Sequence, residues 1–548
     1  MAGRYGSDFL LLYFIMDFTS TRLPYRQTGA FKKIALDYID RTESLKPFFA
    51  HPPTLQGIQK AIAARKQFGT NREVLVQELK KQYADLPPSE PVQNNIQSLL
   101  SENTFTITTA HQNNIFTGPL YFIYKILHVI KLADHLNTSL PGNHFVPVFY
   151  MGTEDADLDE LNHIYLNDEK LVWNTKQTGA VGRMKINNDF LKLISSIEGQ
   201  LSVLPFGKEI LTLVKECYKP GDEILAATLK MVNALFAEYG LIVLLPDNGA
   251  LKKQMGAVFQ DDLLHQTASG IVEKTAGQLD TTGYKVQVNP REINLFYLKD
   301  DLRERIVRQG TKYKAQGTSL DLTEEELLKE LQEHPERFSP NVILRGLYQE
   351  TILPNIVFIG GGGETAYWLQ LKDLFEHYKV PFPVLVLRNS FLMVEKKWQS
   401  IMSNLGYTAD DFFLPEQELL TRLVARETDQ QLKLNGTLLQ TEKLYDDIKK
   451  QAAAIDITLG KHVDFLKLKT LQRLLELEKK MLRAEKRKFA DQQRQIHSLK
   501  EKLFPGNGLQ ERYDNMLYYY AKWGKDFIQR LYLHSLSLEQ EFVTLVEQ

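Results

Sequence analysis

Cysteine is almost missing from this chain: Cys217 is the only one in 548 residues. A single thiol excludes an intrachain disulfide and a zinc site built on cysteine pairs. Nothing then asks for an oxidising compartment, and the cytoplasm is the expected location. Charge of one sign is missing as well. With 66 basic against 68 acidic residues there is no global electrostatic footprint for nucleic acid, which argues against it as a partner, although a local basic face stays open. Long apolar runs are also lacking. Residues 9–16 are apolar and follow Arg4 in the manner of a signal peptide, but the run is far shorter than the ~20 residues that span a bilayer. Asp17 closes it, and no small-x-small cleavage pattern intervenes before Arg22. The simpler expectation is a true start at Met16, with residues 1–15 an upstream extension outside the fold, and no membrane partner.

What is present is enough chain for roughly three domains, or for a core with large insertions. The stretch that organises it runs from Thr104 to Leu136. Residues 104–110 are a β-branched run suited to a buried strand, residues 111–114 (His-Gln-Asn-Asn) follow, and Phe116-Thr117-Gly118-Pro119 opens a helix. Leu120, Ile123, Leu127 and Ile130 recur at helical spacing and face a sheet. Unpaired N–H groups at such a helix start favour an anion, so this loop suits phosphate or carboxylate chemistry; a plain capped turn is the alternative. Residues 144–151 read as a second buried strand, making a βαβ unit. The strand runs into Glu154, Asp155, Asp157, Asp159 and Glu160, five carboxylates within seven residues, then Asn162 and His163. In an open parallel sheet, ligands bind beyond the carboxyl ends of strands, so both loops are expected at one crevice. The acidic loop offers metal binding, an ammonium pocket or a general base; the alternative is a solvated helix start.

Residues 164–239 read as a first insertion and 240–270 as a continuation of the core, with a strand at 240–247 and a helix from Asn248 to about His265. Residues 271–350 read as a second insertion, with strands at 285–289 and 294–298 and a helix at 323–334. The core returns at 351–415, where residues 355–359 form a strand that feeds four glycines, 360–363, and then Glu364, Tyr367 and Trp368 on a helix. This is neither a P-loop nor the usual dinucleotide fingerprint, but bare backbone there lets a ligand come close. A last strand at 383–387 ends in Arg388-Asn389-Ser390, whose guanidinium suits phosphate or carboxylate. Beyond 416 the character changes: apolar residues recur every three or four positions and then form an imperfect heptad series from Leu468 to Leu503. At ~1.5 Å per residue, the helix expected over 458–503 spans roughly 70 Å. A stripe of that length calls for another surface, and two equal arms satisfy each other, so a homodimer through the coiled coil is expected.

Taken together, five stretches carry a family resemblance. They are His111-Gln112 with Phe116-Thr117-Gly118-Pro119-Leu120-Tyr121 and Tyr124-Lys125; Pro147-Val148-Phe149 with Gly152 and the acidic loop through Asn162-His163; Gly360 to Trp368; Arg388-Asn389-Ser390; and Gly508 to Arg512. The chain from about Met16 to its end resembles the bacillithiol biosynthesis cysteine-adding enzymes, the BshC family. The resemblance implies an α/β fold: a Rossmann-like parallel-sheet core similar to class I aminoacyl-tRNA synthetases, two connecting-peptide insertions, and a C-terminal helical coiled coil with terminal helices over 416–548. On this reading residues 16–163 hold a helical lead-in and the first half of the core. The implied activity is a ligase joining L-cysteine to the amine of glucosaminyl malate. The chain departs from the family pattern at Ala110-His111-Gln112, at 361–363 and at Ala156, where many members have Gly-Gln-Gln, Gly-Pro-Gly and His.

Amide formation needs an activated acyl group, so ATP or another nucleotide, with magnesium, is an expected cofactor. The strand-end loops supply the parts. His111, Asn114 and the helix start at Gly118 are assigned to phosphate or developing charge, and Arg388 and Ser390 to the same task from the other side. Glu154, Asp155 and Asp157 are assigned to the substrate amine or a magnesium ion. Gln112, Thr117, Tyr121, Lys125, Asp159, Asn162, His163, Gly361, Gly363, Glu364, Tyr367, Trp368 and Asn389 are candidates for substrate or nucleotide binding. No resident metal site is assigned. A tRNA-binding or tRNA-charging protein and a non-catalytic coiled-coil scaffold stand as the alternatives.

Overall fold

The computed structural model describes residues 18–429 and 432–548; the expected extension, residues 1–15, lies outside them. The chain divides into two compact units. One holds the residues up to Leu392 together with Leu509–Val543, and the other holds Met393–Gly508 with Thr544–Gln548. The terminal helices Met516–Trp523 and Lys525–His534, grouped with the arm on the sequence, thus fall in the first unit.

At the centre of the first unit is a five-stranded parallel sheet. Its strands are β1 (Thr104–Gln112), β2 (His144–Gly152), β3 (Ile242–Leu244), β4 (Asn355–Gly360) and β5 (Val384–Leu387), in the order β5-β4-β1-β2-β3. Helix α1 (Tyr121–Ser139) returns the chain from β1 to β2, helix α2 (Val342–Ile352) precedes β4, and helix α3 (Gly362–Trp368) follows it. Period-two alternation splits the apolar residues between two faces. Phe105, Ile107, Val357, Ile359, Val384 and Val386 pack with Val129, Leu132 and Leu136 of α1. Val146, Val148, Tyr150, Phe358 and Leu385 pack on the other side with Leu344, Leu347 and Tyr348 of α2. Both faces are covered, as a parallel sheet requires, and each fully buried aliphatic contributes about 1.5–3 kcal/mol relative to exposure. The threonines of β1 are satisfied within the sheet: Thr108 Oγ1 donates to Asn355 Oδ1 at 2.8 Å and Thr109 Oγ1 to the Ile359 carbonyl at 2.7 Å. The chain leaves β1 toward β2 and leaves β4 toward β5 in the opposite direction, so the crevice between β1 and β4 is a topological switch point.

Between β2 and β3 lie a single helical turn at Leu158–Leu161, the hairpin His163–Leu166/Glu169–Val172 and three longer helices. Between β3 and α2 lies a five-stranded antiparallel sheet with helix Glu324–Glu333, which starts in a capping box of Thr323 and Glu326. Residues 285–289 are not a strand. They run extended beside a side chain, Gln370, whose Oε1 accepts from the Gln287 and Val288 N–H groups and whose Nε2 donates to the Val288 carbonyl. That side chain satisfies the backbone that a ladder otherwise would. The helix expected from Asn248 is broken into Gly249–Lys252 and Gly256–Leu264 by a tight turn at Lys253–Met255.

In the second unit, helices α4 (Asn435–Ile455) and α5 (Ile457–Lys486) form an antiparallel hairpin, with α6 (Ala490–Leu503) after a tight turn at Arg487–Phe489. The register is fixed by Lys449 with Asp464 at 2.7 Å, Lys467 with Asp446 at 2.8 Å and Tyr445 with Thr470 at 2.8 Å. The continuous helix expected over 458–503 is therefore interrupted, and α4 covers part of its stripe. Leu439, Leu444, Phe465, Leu468, Leu475 and Leu477 remain exposed. Among the described residues no helix is long and apolar enough to cross a membrane.

Candidate active site

A cleft of about 300 Å³ opens at the switch point, walled by Ala110, His111 and Gln112 from the end of β1, Tyr150 and Gly152 from β2, and Tyr121 and Lys125 from α1. Arg345 from α2, Gly361, Gly363, Glu364 and Tyr367 after β4, Arg388 after β5, and Arg512 complete it. A side chain added at Gly363 would meet nothing within 4 Å, whereas one at Gly361 would stand 3.6 Å from Arg388 Nε, so the glycine edge leaves the backbone bare toward the cleft.

Three of its four cations carry a carboxylate partner. Buried Lys125 donates to the Ala110 carbonyl at 2.8 Å and pairs with Glu364, which also accepts from the Gly361 N–H at 2.8 Å. Burial pulls the Lys125 ammonium below its ordinary range and Glu364 opposes the shift. Arg345 holds both oxygens of Asp155, at 2.9 and 3.1 Å, and the Asp155 charge pushes its affinity for the proton up. Arg388, also buried, donates to Glu511 Oε1 at 2.7 Å, to Ser390 Oγ at 3.1 Å and to the Asn389 carbonyl at 3.0 Å, while its guanidinium lies 4.9 Å from the Tyr121 ring centre. Burial works against its charge, but Glu511, with Tyr25 and Tyr121 behind it, leaves the affinity of Arg388 for its proton raised.

His111 sits edge-on to Tyr121 and Phe122, and its Nε2 is buried without a protein partner. Burial, followed by Lys125 and Arg388, holds its pKa well below the ordinary imidazole value. It is a neutral group near neutral pH, not a cation for phosphate.

Several expected residues are placed elsewhere. The helix start is not an open anion cradle. Phe116 and Thr117 take positive φ, α1 begins only at Tyr121, the Leu120 N–H donates to the Asp514 carbonyl at 2.8 Å, and Asn515 Nδ2 donates to the Phe116 and Gly118 carbonyls at 2.9 and 2.6 Å. Thr117 and Gly118 are buried beneath that cover, and Asn114 points its amide at the Glu160 carbonyl, 3.3 Å away. Glu154 is buried against Lys252, which also reaches Asp247 at 3.3 Å and the Glu336 carbonyl at 2.8 Å. Burial raises the Glu154 pKa and Lys252 opposes it, and the carboxylate is committed to that pair and does not line the cleft. Asp157 and Asp159 are exposed outside the cleft, and Asn162 and His163 bond each other at 3.2 Å at the start of the hairpin. Ser390 donates to Glu511 and Asn389 to the Leu536 carbonyl, so only Arg388 of that loop reaches the cleft. Trp368 is core: it stacks on Phe358 with centroids 4.4 Å apart and presses on Gly346. Among the described residues no group of three or more His, Cys, Asp or Glu side chains is set to hold a metal ion.

Sequence reasoning missed Tyr150 and Arg345 and gave Arg512 no role in the site. Tyr150 is indistinguishable from its apolar neighbours in a buried strand. Arg345 left one trace, a lone charge between Leu344 and Leu347, which both face the core.

Comparison with known proteins agrees with this architecture. The model of the bacillithiol biosynthesis BshC N-terminal Rossmann-like domain matches residues 16–389, and that of the BshC C-terminal coiled-coil domain matches 391–547. A protein named "Putative cysteine ligase BshC" from Cytophaga hutchinsonii is 38% identical over 94% of this chain and 96% of its own, and one of the same name from Flavobacterium johnsoniae is 38% identical over 95% and 98%. A solved structure described as a putative arginyl tRNA synthetase from Campylobacter jejuni covers 83% of this chain and 100% of its own at 12% identity, with a TM-score of 0.21, too low to bear on the fold. By its two domains and these relatives, the chain belongs to the BshC family of bacillithiol biosynthesis proteins.

Proposed function

We propose that this cleft is the active site of a ligase that joins L-cysteine to the amine of glucosaminyl malate through an activated carboxylate. The observation that carries the proposal is the set of four cations, Lys125, Arg345, Arg388 and Arg512, converging on the switch-point crevice beside bare glycine backbone. Such a wall suits a ligand bearing carboxylates or phosphates, and cations fixed in a crevice stabilise the oxyanion that develops when an amine attacks an acyl group.

A nucleotide, ATP by preference, would supply the activation. Arg512 and the 361–363 backbone would hold its phosphates, the paired Arg345 would add its charge to the wall, and magnesium would enter with it. The neutral His111 at the wall is suited to hydrogen bonding, and Tyr121 and Tyr367 to lining the rest of the ligand. The reaction belongs in the cytoplasm, where the thiol product stays reduced. The exposed leucines of α4 and α5 support a homodimer through the coiled coil. Light scattering should give a dimer at micromolar concentration and a monomer for the Leu475→Glu/Leu482→Glu double variant; a monomeric parent protein overturns this part.

The activity test is incubation of the pure protein with cysteine, glucosaminyl malate and ATP, followed by mass detection of the amide. Absence of the thiol-sugar product with every nucleotide tried would overturn the ligase reading.

A further inference from the structure

The cleft does not hold its four cations on equal terms. Lys125 and Arg388 are buried and locked, and Arg345 has both oxygens of Asp155. Arg512 differs. It is exposed at the rim, and among the described residues no carboxylate lies within ion-pair reach of it. Its guanidinium stands 5.8 Å from the centre of the Tyr121 ring, the same ring that Arg388 faces at 4.9 Å. Tyr121 thus draws both cations to the cleft wall through its π face. The adjacent acid is not a partner in waiting: Glu511 accepts from Arg388, from Ser390 Oγ at 3.2 Å and from the Phe391 N–H at 3.3 Å. The other nearby acid, Glu160, takes Gln112 Nε2 at 3.4 Å. The tight turn Gln510–Arg512 therefore does two separate things, one residue apart: Glu511 turns inward to neutralise Arg388, and Arg512 turns to the cleft with its fork unused.

Resting on the reading of this cleft as the substrate site, we propose that Arg512 is the ligand-pairing cation, which closes on the oxyanion of an incoming carboxylate or phosphate. The three paired cations shape the wall and set its potential, Arg345 giving Asp155 its Nη1, and Arg512 is the one cation of the cleft that carries no carboxylate partner among the described residues and can meet the ligand with its whole fork. A side chain in this position costs the free protein little to keep and gives the ligand a charge-assisted pair on arrival.

Calorimetric titration of the full-length protein with L-malate and, separately, with ATP tests this and distinguishes the two sources of the oxyanion. Arg512→Gln should weaken at least one probe about 10- to 100-fold, the equivalent of losing a charge-assisted pair. Arg512→Lys should recover part of the loss, because it restores charge without the fork. The melting temperature of the unliganded Arg512→Gln protein should stay at the parent value, since the side chain is exposed and unpaired. Unchanged affinity for both probes, binding of neither probe by the parent protein, or a fall in melting temperature matching the loss of affinity overturns the inference. If Arg512→Gln weakens a probe in a protein that makes no amide, the ligase reading fails and this inference stands. If the amide is made with both substrate KM values unmoved in Arg512→Gln, the reverse holds.

Discussion

Two ion pairs of nearly equal length separate the core from the arm. Arg65 reaches Glu350 at 2.8 Å under the sheet, and Lys449 reaches Asp464 at 2.7 Å across the helical hairpin. The side chains of the first pair are 1% and 0% exposed, those of the second 45% and 50%. Arg65 also donates to the carbonyls of Glu350 and Pro381, and Glu350 also accepts from Gln349 and Asn355. The core pair sits in a buried hydrogen-bonded network shielded from water, with only Arg65 Nε left without a protein partner among the described residues, while the arm pair is one of several contacts that water competes for. Distance alone therefore says little about what a charge contributes. The same contrast runs through the cleft, where buried Arg388 is a fixture of the wall and exposed Arg512 is available.

Removing one partner of the core pair is the strongest way to break this comparison. Glu350→Ala leaves Arg65 buried without a countercharge and should cost about 3–5 kcal/mol. Denaturant unfolding followed by tryptophan emission would show it, and a loss under 1 kcal/mol would mean that core and arm pairs are alike. Next in size is Gly346→Ala on α2. The new methyl would meet the Trp368 ring at 3.1 Å, and overpacking of this kind should cost about 1–3 kcal/mol, with little change in the cleft itself.

Asp37 supplies an intermediate case with a pH signature. Burial pushes its pKa up, but Lys33, Arg26 and Tyr284 outweigh that and hold it at about 2, below the ordinary 3.8. A carboxylate depressed on folding gives stability that is fully present above its unfolded pKa and is lost as pH falls through the folded one. Lys33 and Arg26 are largely exposed, so the discounted contribution is on the order of 1 kcal/mol. Asp37→Asn should be less stable than the parent at pH 7, and the gap should close between pH 3.8 and about 2. A gap that stays constant over that window would remove the ion pairs as its cause. The smallest effect belongs to the arm: Asp464→Ala should change stability by about 0.2–0.5 kcal/mol, and added salt should erase the difference.

Much of the core was legible because its signals are local. The β-branched run of β1, the apolar run of β2 and the glycines after β4 announced strands and a strand-end site with no reference to the rest of the chain. The cleft gathers His111, Gln112, Tyr121, Lys125, Gly361, Gly363, Glu364, Tyr367 and Arg388 from that list. The acidic loop misled for a physical reason: clustered carboxylates in sequence look available, yet Glu154 found Lys252 and Asp155 found Arg345, leaving the exposed Asp157 and Asp159 outside the cleft. The helix start at Gly118 misled in the same way, because Asp514 and Asn515 cover it from the far end of the chain.

By itself, the sequence determined what depends on near neighbours. Periodicity set the strands and helices, the single cysteine excluded disulfides, and capping residues such as Thr323 with Glu326 set helix ends. The tertiary structure alone decided which charges are spent and which remain. Glu154 and Lys252 are 98 residues apart in sequence, Arg388 and Glu511 are 123, Asp155 and Arg345 are 190, and Arg65 and Glu350 are 285. A carboxylate's chemistry is set by its nearest countercharge and by the water it has lost, and both arrive only when the chain closes on itself.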